Sequence, residues 1–239
     1  MGVLAAAACA AGCGGGDGDG PSEREFATQA TRLCQDGNRR LLGMRMPADT
    51  AGLTALEEQI EASEARLFDD LAELDAAESR RARFERAVAA RSRDTAYDDF
   101  KAAGLPDCAA FGVTGVPDGG EFNADVSPVC ASSVLDLRLH AQELRPTRRA
   151  RRSAEDLRTL SRALEPPQPP PPGGALFDAA VADLRAIADV LDDVAAGTIG
   201  EDGEDRYELL IKRGAQAWAL LNASDCDEIV PALQGDGSE

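Results

Sequence analysis

Aromatic side chains are scarce here: seven Phe, two Tyr and one Trp make up 4% of 239 residues. The core must therefore be built mainly from Ala, Leu and Val, which bury less area each than a ring does, and it stands to gain from crosslinks. Histidine occurs once, at His140. That excludes the two-histidine carboxylate centres of ferritin-like bundles and any HExxH site. No CxxC spacing, GxGxxG turn or Walker loop occurs, so a His/Cys metal set is not expected and no cofactor is implied. Positive charge is also short. The formal net charge is −18, divided evenly: 23 acidic against 13 basic residues up to position 125 give −10, and 20 against 12 beyond it give −8. Neither half has the concentrated basic surface that phosphate binding needs, so no nucleic-acid partner is expected. Lysine supplies two of the 25 cations and arginine 23. With the abundance of Ala, that bias suits a GC-rich coding sequence.

No apolar run is long enough to span a bilayer as a helix. The one near the start, Val3 to Ala11, has the length of a signal-peptide core, and it runs into Ala10-Ala11-Gly12-Cys13. Small residues before a cysteine resemble the lipobox of bacterial lipoproteins, here with Ala10 where Leu is usual. The resemblance implies that residues 1–12 are a signal peptide and that Cys13 carries the lipid and becomes the first mature residue. Residues 13–21, rich in Gly and Asp and ending in Pro21, have the composition of a flexible tether.

From Ser22 onward the spacing is helical. Ser22-x-x-Glu25 is a capping box, with Phe26, Ala30, Leu33 and Cys34 following on one stripe. A second helix from about Thr50 repeats Leu53, Ile60, Leu67 and Leu74, widened by Leu56 and Leu71. A third, expected from about Glu78 to Ala103, turns Phe84, Val88, Ala96 and Phe100 inward. Gly104-Leu105-Pro106 ends it. The Gly/Pro-punctuated stretch 112–126 reads as a linker. Ser127-Pro128 reads as the entrance of a second module, a capping residue with proline at the first helical position. Its first helix carries Cys130, Val134, Leu137, Ala141 and Leu144. Its second has Leu157, Leu160 and Leu164, and its third has Phe177, Val181, Leu184, Ile187, Leu191 and Val194. A fourth, from about Glu204, holds Tyr207, Ile211, Trp218 and Leu221. Residues 232–239 read as a disordered tail. The expected fold is all-α: two tandem antiparallel bundles of about three and four helices, over 22–111 and 127–231.

The modules end alike. Phe100 stands eight residues before Cys108 and Trp218 eight before Cys226, each cysteine following an Asp, with Phe111 and Ile229 three residues beyond. Each module also has a cysteine in its first helix. We read this as a divergent internal duplication. The chain thereby resembles a loose group of alanine-rich helical lipoproteins of high-GC Gram-positive bacteria, the opening Cys34-x-x-x-Asn38-x-x-Leu41 above all. In the second copy Val134 replaces the Asn. Four cysteines in an exported chain imply two disulfides with three possible connectivities. The bracketing pattern of the resemblance implies Cys34 with Cys108 and Cys130 with Cys226.

Several local features have a functional and a bland reading. Arg145, Arg148, Arg149, Arg151 and Arg152 form a basic knot suited to anionic headgroups or wall polymers, but equally a helix face balanced by Glu143, Glu155 and Asp156. Residues 166–172, Pro-Pro-Gln-Pro-Pro-Pro-Pro, suit a polyproline spacer between helices. Glu201-Asp202-Gly203-Glu204-Asp205 suits an acidic helix start better than a calcium loop. His140 has no nucleophile elbow beside it. No catalytic residue can be named. The expectation is a lipid-anchored, extracytoplasmic, non-catalytic binding or structural module whose envelope partner is a protein or polymer. Its alternatives are an envelope hydrolase with a carboxylate pair between the modules and a carrier of a small apolar ligand.

Overall fold

A computed structural model describes residues 21–223 and 225–234. The signal peptide, Cys13 and most of the tether lie outside the described residues. The described chain is all-helical, with ten α-helices and one 3-10 turn among those residues.

The first helix, α1 (Glu23–Leu42), starts on the expected capping box: the Glu25 amide donates to Ser22 Oγ at 3.3 Å and the Ser22 amide to Glu25 Oε2 at 3.0 Å. Asp49 caps α2 (Thr50–Ala72), its carboxylate accepting from the Gly52 amide at 2.7 Å. The single helix expected over 78–103 is instead two, α3 (Arg81–Ala90) and α4 (Arg93–Ala102). Arg91 takes the left-handed conformation (φ 51°) and Ser92 is extended, which swings the chain without any glycine or proline. The apolar stripe survives the break, since Phe84, Val88, Ala96 and Phe100 are all buried. A short α5 (Pro106–Ala109) carries Cys108.

The stretch expected as linker is largely ordered. A 3-10 turn covers Gly112–Gly115, and α6 (Gly119–Ala141) begins eight residues before Ser127, leaving Pro128 inside the helix. An interior proline costs about 3 kcal/mol. The offset is burial: Phe122 and Val126 extend the stripe of Cys130, Val134 and Leu137 upstream, and Phe122 meets Phe177 edge-on with ring centroids 5.2 Å apart. Helices α7 (Pro146–Ala163), α8 (Gly174–Ala196) and α9 (Glu201–Leu221) follow. The last, α10 (Ile229–Gln234), begins inside the expected module and runs on through 232–234, the first positions of the expected disordered tail, because Ala232 buries itself against the bundle beside Ile229 and Val230. Leu144, expected on the inner stripe, falls beyond the end of α6 and is 94% exposed.

The disulfides join Cys34 to Cys108 and Cys130 to Cys226, with Cα atoms 5.0 Å apart in both. Each ties a cysteine in the middle of a module's first helix to the segment after an aromatic-bearing helix. One core gathers Phe26, Cys34, Phe68, Phe100, Leu105 and Cys108. The other is centred on Phe122, Cys130, Phe177, Leu184, Trp218 and Cys226 and also takes in Leu41, Leu42 and Leu56. Thus the C-terminal end of α1 and the start of α2 pack into the second core, and the modules adhere through apolar surface. The proline tract shares in this. Pro169 is buried, and Pro172 and Gly173 lie against Gly43 and Leu42 at the end of α1. It is a packed connection rather than a free spacer.

Candidate functional site: the cleft between the modules

A buried polar cluster joins α1 and α4 to the 3-10 turn that leads into the second module. Asn38 is fully buried. Its amide Nδ2 donates to the Gly115 carbonyl at 2.9 Å and the Ala110 carbonyl at 3.4 Å, while its Oδ1 accepts a short hydrogen bond from Arg93 Nη1. Asn supplies a donor and an acceptor on one planar group, so it can face a carbonyl on one side and a guanidinium on the other. Gly115 allows the approach: a Cβ there would stand 1.8 Å from Asn38 Nδ2.

Arg93 is only 4% exposed. Besides Asn38 it donates to the Ala110 carbonyl at 3.0 Å, and its guanidinium lies 5.1 Å from the centroid of the Phe111 ring. Its carboxylate partner is Glu64 of α2, with Nε to Oε1 at 3.8 Å. That is too long for a hydrogen bond, and Arg93 Nε has none among the described residues. Burial pushes the Arg93 guanidinium down to about 10, opposed by Glu64 and reinforced by the like charge of Arg40. It remains charged at neutral pH. Burial pushes the Glu64 carboxyl up, Arg93 pulls it down and Asp94 pushes it up again. A positive group is thus held rigidly from behind, beside a half-buried carboxylate.

These residues line a cleft of about 800 Å³. Ile60 and Glu64 of α2 form one wall, Arg93, Tyr97 and Lys101 of α4 a second, and Phe111 the floor, with Asn222 and Asp227 contributed by the second module. Asn222 Nδ2 donates to the Phe111 carbonyl at 3.1 Å and to Thr114 Oγ1 at 3.3 Å, so the far wall is tied to the same turn. The carboxylates differ in placement: Glu64 is half-buried, whereas Asp94 and Asp227 are exposed. One inward carboxylate beside a fixed arginine is a binding arrangement. Paired-carboxylate hydrolysis needs two acids set across a bond.

No family model, curated protein or solved structure matches the chain.

Of the residues singled out from sequence, Cys34, Cys108, Cys130 and Cys226 are brought together in pairs, and Cys13 lies outside the described residues. His140 pairs with Asp156, whose carboxyl is pushed up chiefly by burial while His140 draws it down. That pairing takes Asp156 away from the basic knot. Arg148 reaches Glu143 at 3.3 Å, but Arg145, Arg149, Arg151 and Arg152 form no ion pair among the described residues. Among those residues no group of three or more His, Cys, Asp or Glu is placed to hold a metal, and no helix is long and apolar enough to cross a membrane. Sequence reasoning did not single out Arg93 or Glu64. Asn38 entered only as part of a resemblance. The available signal was Asn38 on the stripe of Phe26, Ala30 and Cys34, a buried polar position that requires partners.

Proposed function

We propose that this protein is an extracytoplasmic lipoprotein, anchored through Cys13, whose folded part is a non-catalytic binding module at the cell envelope. The observation that carries the binding reading is the cleft itself: Arg93 is fixed by Asn38 and the Ala110 carbonyl before any ligand arrives, so little ordering cost falls on binding. With Arg93 and Lys101 near Glu64, Asp94 and Asp227, the cleft suits a partner bearing both charge signs, such as an envelope peptide segment. The hydrolase reading is less well supported, because Glu64 alone of these acids is drawn inward. Two disulfides are compatible with an oxidising compartment outside the cytoplasm, and the lipobox resemblance of Ala10 to Cys13 supplies the anchor.

The test has two arms. Membrane fractionation of wild type and Cys13→Ser should show the variant released or left unprocessed; unchanged membrane association of an exported Cys13→Ser protein defeats the anchor. Crosslinking in native membranes, with photoreactive groups placed at Tyr97 and at exposed Glu58 as a control, should give an adduct at Tyr97 alone. Identical adducts at both positions, or none at Tyr97, defeat the cleft as the binding site.

A further inference from the structure

A second cavity, of about 370 Å³, lies wholly within the second module and near the basic knot. Its size falls at the small end of pockets that hold small molecules, about 300–1,000 Å³. The walls are aliphatic: Ala150 of α7, Leu191 and Val194 of α8, Ile199 before α9, and Leu233 of α10. Leu191 and Val194 continue the stripe of α8, yet they are only half-buried, because the cavity takes the place of a packing partner. Three donors open onto it. Ser153 is 7% exposed and lines the cavity, and its hydroxyl makes no hydrogen bond among the described residues. With no partner inside the described protein, this hydroxyl can donate to a ligand acceptor. Tyr207 and Arg149 are the other two, Arg149 being one of the knot arginines that form no ion pair among the described residues. Burial pushes the Tyr207 phenol up, and Arg149 pulls it down. Glu204, exposed in the first turn of α9, is the one acid on the lining. Leu144, nearly bare, stands two residues before Pro146 at the same end.

We propose that this cavity binds a single-chain amphiphile, its aliphatic tail among Leu191, Val194 and Ile199 and its anionic head held by Arg149, Tyr207 and Ser153. The tail chemistry follows from the walls, and the head from three donors set against one exposed acid. The cavity shares no lining residue with the inter-module cleft, and this assignment depends neither on that cleft nor on Cys13.

The probe is decanoate, titrated calorimetrically into the full chain carrying Cys13→Ser with both disulfides formed. Saturable binding is expected, with decyltrimethylammonium at least about tenfold weaker, the loss expected when a charge-assisted head contact is replaced by a like charge. Arg149→Gln, at an exposed position, should weaken decanoate by about tenfold and leave decanol nearly unchanged. Ala150→Phe should abolish binding by filling the cavity; if that variant does not fold, Ile199→Trp at the mouth serves the same purpose. Displacement of decanoate by a decanoyl lysophosphatidylglycerol identifies a membrane lipid as a source, and its failure to compete identifies the free fatty-acid anion. Equal affinity for the cationic and anionic probes overturns the proposal, as does decanoate binding untouched by both Arg149→Gln and the filling substitution. Attachment to anionic vesicles with no binding of monomeric decanoate also overturns it, since the basic knot would then be acting as a surface alone.

Discussion

Truncating Asn38 to Ala removes the pin that holds α1 to α4 and the 3-10 turn, and its cost can be worked from the contacts. The charged hydrogen bond to Arg93 is lost, at about 1.5–3 kcal/mol, and the buried Gly115 carbonyl loses its donor, at about 1–3 kcal/mol. Arg93 keeps the Ala110 carbonyl and the Phe111 ring, which limits the damage. The expected loss is about 3–5 kcal/mol, large against the marginal stability of a domain of this size. Gly115→Ala is a steric probe of the same contact: its Cβ would meet Asn38 Nδ2 at 1.8 Å and the Ala110 carbonyl at 3.1 Å. With Asn38 already truncated, the first clash vanishes and only the second remains. The double variant should therefore be little worse than Asn38→Ala, a coupling of roughly 2 kcal/mol or more. Urea unfolding of the oxidised protein, followed by Trp218 fluorescence and by circular dichroism, gives the four free energies. Strict additivity, or a loss under about 1 kcal/mol for Asn38→Ala, would refute the pinned joint.

Three further predictions concern other parts of the fold. Asp183 is 3% exposed, and burial pushes its carboxyl up to about 6 despite Arg213 at 3.2 Å; a folded pKa above the unfolded one gives stability that is full below about pH 4 and lost as pH rises through 6, on the order of 3 kcal/mol. The difference in unfolding free energy between wild type and Asp183→Asn should follow that curve, and a difference constant from pH 3.5 to 7.5 would contradict it. Replacing residues 166–172 by a Gly/Ser segment of equal length should lower the thermal midpoint by several degrees, because Pro169 is buried and Pro172 lies near the end of α1; an unchanged midpoint would show the tract to be a loose spacer. Paired Cys130→Ala and Cys226→Ala substitution opens a loop with a sequence separation of 96 and should cost up to about 4.7 kcal/mol in the chain-entropy account, read as a fall in urea midpoint relative to wild type.

The α1 start at Ser22 was legible because periodicity met a cap. The inward sets of α3, α4 and α7, and of α8 as far as Ile187, were legible from apolar spacing alone, since none of these helices has a side-chain cap. The errors have physical causes. Ser127-Pro128 has the grammar of a helix start, yet Phe122 and Val126 bury enough ring and aliphatic surface to carry α6 through the proline. The break at Arg91 has no glycine or proline to announce it; the turn there brings Arg93 to Asn38, a partner 55 residues away. Leu144 continued the apolar spacing on paper, but the helix ends three residues earlier. The cysteine pairs, which lie outside the cleft, were legible through the resemblance. The cleft was not, because Glu64, Arg93 and Phe111 are ordinary residues in sequence and become a site only through distance in the fold.

Two bundles, each closed by its own crosslink, are tested most directly by non-reducing peptide mapping of the native protein with thiols alkylated before extraction. The prediction is two disulfide-linked peptides, Cys34 with Cys108 and Cys130 with Cys226, and no alkylation at any of the four. Linkage of Cys34 to Cys226 or of Cys108 to Cys130, or four alkylated free thiols, would contradict it.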